Sequence, residues 1–142
     1  MTTTAGQLDA DAVREIAEQF FAARDRFDPD AIAEMVTDDV TYTMPSSLRP
    51  DPIVGRAEVA QALGGGAARQ FFDVPTIQRA VIKIVADNTT AIGLTTMQCT
   101  ARNGNAYSNE YAWQLEFSGE KIKSVREFTD SLRFARLTGI SG

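Results

Sequence analysis

AYSNEYAWQLEF, residues 106–117, decides the fold. Tyr107, Asn109, Tyr111, Trp113, Leu115 and Phe117 fall on one face of an extended chain, and Ser108, Glu110, Gln114 and Glu116 on the other, because successive strand side chains point to opposite sides. A strand with one aromatic and one polar face belongs to a sheet covered on one side only. Asn103-Gly104 just before it is a hairpin signal, since both central positions of a two-residue turn need positive φ. Ser118-Gly119 turns the chain again on the other side. Further out, 76–86 and 89–100 are apolar, β-branched runs joined by Asp87-Asn88, and 121–130 reads as the last strand. The second half is a four-stranded antiparallel meander.

The first half has a different period. Val13, Ile16, Ala17, Phe20 and Phe21 recur at helical spacing over 10–25. Asp28-Pro29 reads as an N-cap followed by proline at the first helical position, and Ile32, Met35 and Val36 form the inner face of a second helix. Val40, Tyr42 and Met44 alternate with threonines, predicting a short strand ended by Pro45. Residues 45–55, with three prolines, read as a surface loop. A third helix starts near Arg56 with Val59 and Leu63 inward, and Gly64-Gly65-Gly66 stops it or links it flexibly. Residues 1–8 are polar and expected to be disordered, leaving one domain over 9–142. Helices must cover one face of the sheet. The fold class is therefore α+β: a cone-shaped barrel with three N-terminal helices in the hollow of a curved, mostly antiparallel sheet.

The chain has 142 residues, 44% hydrophobic and 23% charged, with a formal charge of −5. That charge argues against nucleic acid and anionic membrane surfaces, both of which need a basic patch. No apolar run approaches the length of a membrane span, and no secretory signal opens the chain; a cytoplasmic protein is expected. There is no histidine, which excludes Ser-His-Asp triads, Cys-His pairs and histidine-based zinc sites. Cys99, the single cysteine, reads as a small buried thiol. The scattered carboxylates lack metal-ligand spacing, so no metal and no cofactor are expected.

Three stretches carry a resemblance: EQFFAARDRFDPDAIAEMVTDDVTYTMP (18–45), IVGRAEVAQAL (53–63) and KIKSVREFTDSLRFARLTG (121–139). In order and spacing the chain resembles the SnoaL-like domain family, a branch of the fold shared with ketosteroid isomerase and nuclear transport factor 2. The resemblance implies an enclosed pocket for a small apolar molecule. It places the isomerase's oxyanion tyrosine at Phe20, its catalytic aspartate at Met44 and its second oxyanion acid at Trp113. Those side chains supply neither base nor donors for enolisation, so a true ketosteroid isomerase is not expected. In SnoaL-type cyclases an aspartate on the last strand faces a histidine; the matching positions here are Glu127 and Trp113.

Glu127 and Asp130 are thus the candidate catalytic carboxylates, and Phe20, Tyr42, Met44, Asn109, Tyr111 and Trp113 the candidate pocket lining. Each has a plainer alternative. Glu127 is equally at home as a solvated or interface carboxylate, because strand 121–130 does not alternate cleanly; if its face is flipped, Arg126 and Asp130 point inward instead. Asp130 also reads as the cap of the next turn, the aromatic stripe as core, and Asp38-Asp39 as a solvated turn. Two functions remain open: a cofactor-independent acid/base enzyme (cyclase, isomerase, dehydratase or epoxide-opening type) on a small apolar carbonyl or polyketide-like compound, or a non-catalytic binding or assembly module. A homodimer through the outer sheet face is expected, from the small and polar outward row Ala106, Ser108, Glu110, Ala112, Gln114 and Glu116.

Overall fold

The computed structural model describes residues 8–140; the N-terminal segment expected to be disordered lies almost wholly outside them. Helix α1 (Ala10–Asp25) starts where Asp9 accepts from the Ala12 amide at 2.8 Å. Helix α2 (Pro29–Met35) starts at Asp28, whose side chain accepts from Ala31 at 3.1 Å. Such caps satisfy amides that have no partner within the helix. Strand β1 (Val36–Thr43) follows directly. It carries a bulge between Val36 and Thr41, and Asp38 and Asp39 lie there rather than in a turn, with Asp38 paired to Arg56 at 2.8 Å. The 45–55 loop includes a two-residue strand, β2 (Ile53–Val54), paired with β1.

Helix α3 (Arg56–Gln61) runs on only as far as the glycines, where the chain kinks at Gly64 and Gly65, in keeping with the expected stop or link. Helix α4 (Ala67–Phe71) follows the kinked segment Ala62–Gly66. Gly65 takes φ +117° and breaks the helical path, a conformation that other residues reach only with strain.

Strands β3 (Gln78–Ala86), β4 (Thr90–Thr100), β5 (Ala106–Ser118) and β6 (Lys121–Thr129) form the meander. The sheet order is β2-β1-β6-β5-β4-β3, with β1 parallel to β6 and the other pairs antiparallel. The sheet is curved but open, since β2 and β3 are its two edges. Helix α1 lies in the hollow against β3 and β4. It approaches so closely at Gly93 that a Cβ there would stand 2.4 Å from the Phe21 ring. Phe20, Phe21, Ile32, Leu115, Ile122 and Val125 are fully buried between helices and sheet, each contributing about 1.5–3 kcal/mol of hydrophobic stabilisation.

The register of β6 explains its missing alternation. Glu116 stands opposite Ser124 but Phe117 opposite Ile122, which leaves Lys123 as an extra residue. That bulge lets both Ile122 and Val125 face the core. From Val125 the ordinary two-residue period resumes, so Glu127 faces inward and Arg126 and Phe128 outward. After β6 comes helix α5 (Ser131–Thr138), capped by Asp130 at one end and closed by left-handed Gly139 at the other.

Candidate functional site

The hollow between α1, the α3–α4 segment and the inner sheet face holds a cavity of about 470 Å³. Glu127, Tyr42, Met44, Tyr111 and Trp113 all line it. β6 places Glu127 directly opposite Trp113 of β5, and β1 places Tyr42 opposite Val125, two residues from Glu127. The Tyr42 hydroxyl donates to Glu127 Oε1 at 2.6 Å. Tyr42 becomes the partner of Glu127 through the parallel β1–β6 pairing.

Three aromatic rings form one wall. Trp113 lies between Tyr42 and Tyr111, with centroids 6.2 and 6.1 Å away and planes inclined by 29° and 24°. Its indole donates to Thr95 Oγ1 at 3.1 Å, which fixes the ring. Tyr111 and Tyr107 share a hydroxyl hydrogen bond at 2.6 Å.

Asn109, Phe20 and Asp130 have other tasks. The Asn109 amide donates to the Tyr107 hydroxyl and the Asp130 carbonyl, both at 3.0 Å, and its oxygen accepts from Glu110. Its polar groups are consumed inside the protein, so it tethers β5 to the start of α5 and does not line the cavity beside Glu127. Phe20 is wholly buried against Phe21 and belongs to the core. The Asp130 carboxylate is exposed and accepts from the Arg133 amide at 3.0 Å; it is the cap of α5, away from this cavity.

Two lining residues were not anticipated. Arg24 is only 2% exposed and lies 4.8 Å over the Trp113 ring, with Nε and Nη2 donating to Asp25 at 3.2 and 2.9 Å. Its signal in the sequence is its place on the apolar stripe of α1, one turn beyond Phe20. Arg79, on β3 opposite Met97, donates to the Arg24 carbonyl at 3.3 Å. No period marks it, because β3 is an edge strand with a bulge.

Burial raises the Glu127 pKa above its ordinary 4.5, opposed by the Tyr42 hydrogen bond and by the charges of Arg24 and Arg79. Desolvation penalises the ionised form and wins over the partners. Burial, reinforced by the Glu127 charge, holds the Tyr42 hydroxyl well above the ordinary phenol value, so Tyr42 remains a donor. Burial brings Arg79 down to about 10. Among the described residues, no three of the cysteine, aspartate and glutamate side chains converge to hold a metal ion, and no helix is long and apolar enough to cross a membrane. A broader depression lies on the outer sheet face, where Ile82, Leu94, Ala112 and Phe128 are among its lining; Glu127 is not part of it.

The family model described as the SnoaL-like domain matches residues 17–125. The chain belongs to the SnoaL-like domain family. No curated protein matches it in sequence. Solved structures with this SnoaL-like fold include an NTF2-like protein from Burkholderia xenovorans (19% identity, 91% of this chain and 97% of that one, TM-score 0.73). TerC, co-crystallised with polyporic acid, is another (14% identity, 90% and 98%, TM-score 0.78). A third is an LEH-like epoxide hydrolase from M. tuberculosis (16% identity, 91% and 90%, TM-score 0.70). At these identities the likeness is one of fold, which does not fix the chemistry of this SnoaL-like domain.

Proposed function

We propose that this SnoaL-like domain is a cofactor-independent enzyme that moves a proton on a small, largely apolar carbonyl or polyketide-like molecule, with Glu127 as the acid/base. The supporting observation is Glu127 itself: a carboxylate of raised pKa, walled by aromatic rings and held at one oxygen by Tyr42. A carboxyl group tuned toward neutrality is suited to proton exchange at physiological pH. Oε1 is occupied by Tyr42, so Oε2 is the oxygen that meets the substrate. Trp113 and Met44 shape the space, and the Tyr111 hydroxyl orients a substrate oxygen. Cyclisation, isomerisation, dehydration and epoxide opening all share this proton step, and an epoxide hydrolase-like protein is among the similar folds.

The enzyme works in the cytoplasm as a homodimer and needs neither metal nor nucleotide in this reading. The deciding experiment is exchange of α-protons of apolar ketones, and opening of apolar epoxides, followed by NMR in D2O with wild type and Glu127→Gln. Catalysed exchange or opening that Glu127→Gln lowers about 100-fold or more supports the proposal. Turnover unchanged by Glu127→Gln refutes it. Tight binding with no chemistry on either class favours a binding module, a reading that the already satisfied Tyr42–Glu127 pair also fits.

A further inference from the structure

The charge of the cavity wall is opposite to that of the protein. The chain carries 14 basic and 19 acidic residues, yet the ionisable carboxylate and guanidinium groups lining the cavity are Arg24, Arg49 and Arg79 against Glu127 alone. Arg49 is exposed at the mouth. Arg24 and Arg79 are inside, with side chains 3% and 13% exposed.

These two guanidiniums are not fully paired. Both lean on one carboxylate, Asp25, at 2.9 Å from Arg24 and 3.9 Å from Arg79. Arg24 spends Nε and Nη2 on Asp25, and Arg79 spends Nη1 on the Arg24 carbonyl. Among the described residues, Arg24 Nη1 and Arg79 Nε and Nη2 have no acceptor. Every fully enclosed side-chain nitrogen and oxygen among the described residues does have a partner, so these N–H groups open onto space, and for Arg24 that space is the cavity. Two buried cations sharing one anion leave a surplus positive charge, which is costly to keep out of water without a counter-charge. Glu127, with its raised pKa, offsets that surplus only when ionised.

We propose that the cavity is built for an organic acid: an apolar, aromatic-sized body bearing one anionic oxygen function, a carboxylate or an acidic enol, held between Arg24 and Arg79. The ring system stacks along Tyr111 and Trp113, and the anion accepts from the free guanidinium N–H groups, which suit a carboxylate's geometry. Arg49 at the mouth draws the anion in against the negative field of the rest of the protein. This deepens the reading of the cavity as a small-molecule site and rests on it, but it does not require that Glu127 turn anything over.

The test is calorimetric binding of 2-naphthoate against 2-naphthamide, its neutral counterpart, at constant ionic strength. Wild type should prefer the carboxylate by about tenfold or more. Arg79→Gln should reduce that preference to about twofold or less, weakening the carboxylate far more than the amide. Arg24→Lys, which keeps the charge but loses the planar donor set, should weaken the carboxylate selectively. Thermal melts of each variant separate lost fold from lost binding, and Arg79→Gln carries the test alone if Arg24→Lys does not fold. Equal binding of both probes by wild type, or a preference that survives Arg79→Gln, overturns the anion site and leaves the cavity as a neutral pocket. Binding of neither probe overturns the cavity reading and this inference together.

Discussion

Tyr42 and Glu127 are 85 residues apart in the chain and 2.6 Å apart at their oxygens. Their contact depends on the parallel β1–β6 pair, which joins the first strand of the helical half to the last strand of the meander. The hydrogen bond orients the carboxyl group and partly opposes the effect of burial on it.

Removing that bond has a directional effect. Tyr42→Phe deletes an interaction that lowers the Glu127 pKa, so the pKa rises further. If Glu127 is the base, activity rises with pH as it ionises, and Tyr42→Phe should move that limb of the pH–rate profile to higher pH. An unmoved profile would separate Tyr42 from the proton step.

Glu127 also makes stability depend on pH. Its folded pKa lies above the ordinary 4.5, so at intermediate pH the folded state holds a proton that the unfolded state has released. The resulting stabilisation is full below 4.5 and is lost as pH rises through the folded pKa. Glu127→Gln, neutral throughout, should therefore gain on wild type as pH rises from the ordinary carboxylate range through the folded pKa, in urea titrations. Parallel curves for the two proteins would contradict it.

Gly93→Ala tests the seat of α1. The new methyl group would meet the Phe21 ring at 2.4 Å, and such overpacking costs about 1–3 kcal/mol. Pairing it with Phe21→Leu should recover part of the loss, which denaturant melts of the single and double variants would measure. A Gly93→Ala protein as stable as wild type would refute so close a contact.

The outer sheet face is the expected dimer surface. Beside the small and polar row of β5 it exposes Ile82 (64%), Leu94 (44%) and Phe128 (48%), an apolar patch of the kind that marks an interaction site. Light scattering at micromolar concentration should give about 31 kDa, twice the chain's 15.5 kDa. Leu94→Asp should shift the mass toward the monomer. A wild-type mass of 15.5 kDa would refute the dimer.

Cys99 should be sluggish toward alkylating reagents. Burial pushes its thiol up to about 11, so at pH 8 it should react about 200-fold more slowly than an ordinary thiol of pKa about 8.5. Rapid iodoacetamide labelling of the folded protein would contradict this.

The sequence made the meander and the first two helices readable because their signals are local. Asp28-Pro29 and the alternation over 106–117 each need only their neighbours to be understood. What stayed hidden depends on register. The extra residue at Lys123 masked the inward side of β6, and the parallel β1–β6 pairing that brings Tyr42 to Glu127 leaves no mark in either strand. Asn109 reads in sequence as pocket lining, but its partners, Tyr107 and the Asp130 carbonyl, meet it only once α5 is in place. Helix α5 itself has no counterpart among the elements read from the sequence, which end at strand 121–130. Arg24 was legible in principle, as a cation on an apolar stripe. Arg79 was not, since nothing around it in sequence distinguishes it from a surface residue.

The placement of Trp113 gives the protein an internal reporter. It is the only tryptophan in the chain, it lines the cavity, and a guanidinium lies 4.8 Å over its ring while its indole N–H is tied to Thr95. Its emission therefore arises at one place, and any guest that displaces water there or draws Arg24 away should change the spectrum. Libraries of small molecules can be screened against unlabelled protein by intrinsic fluorescence alone, with Arg24 and Trp113 together acting as donor-free optical readout of occupancy.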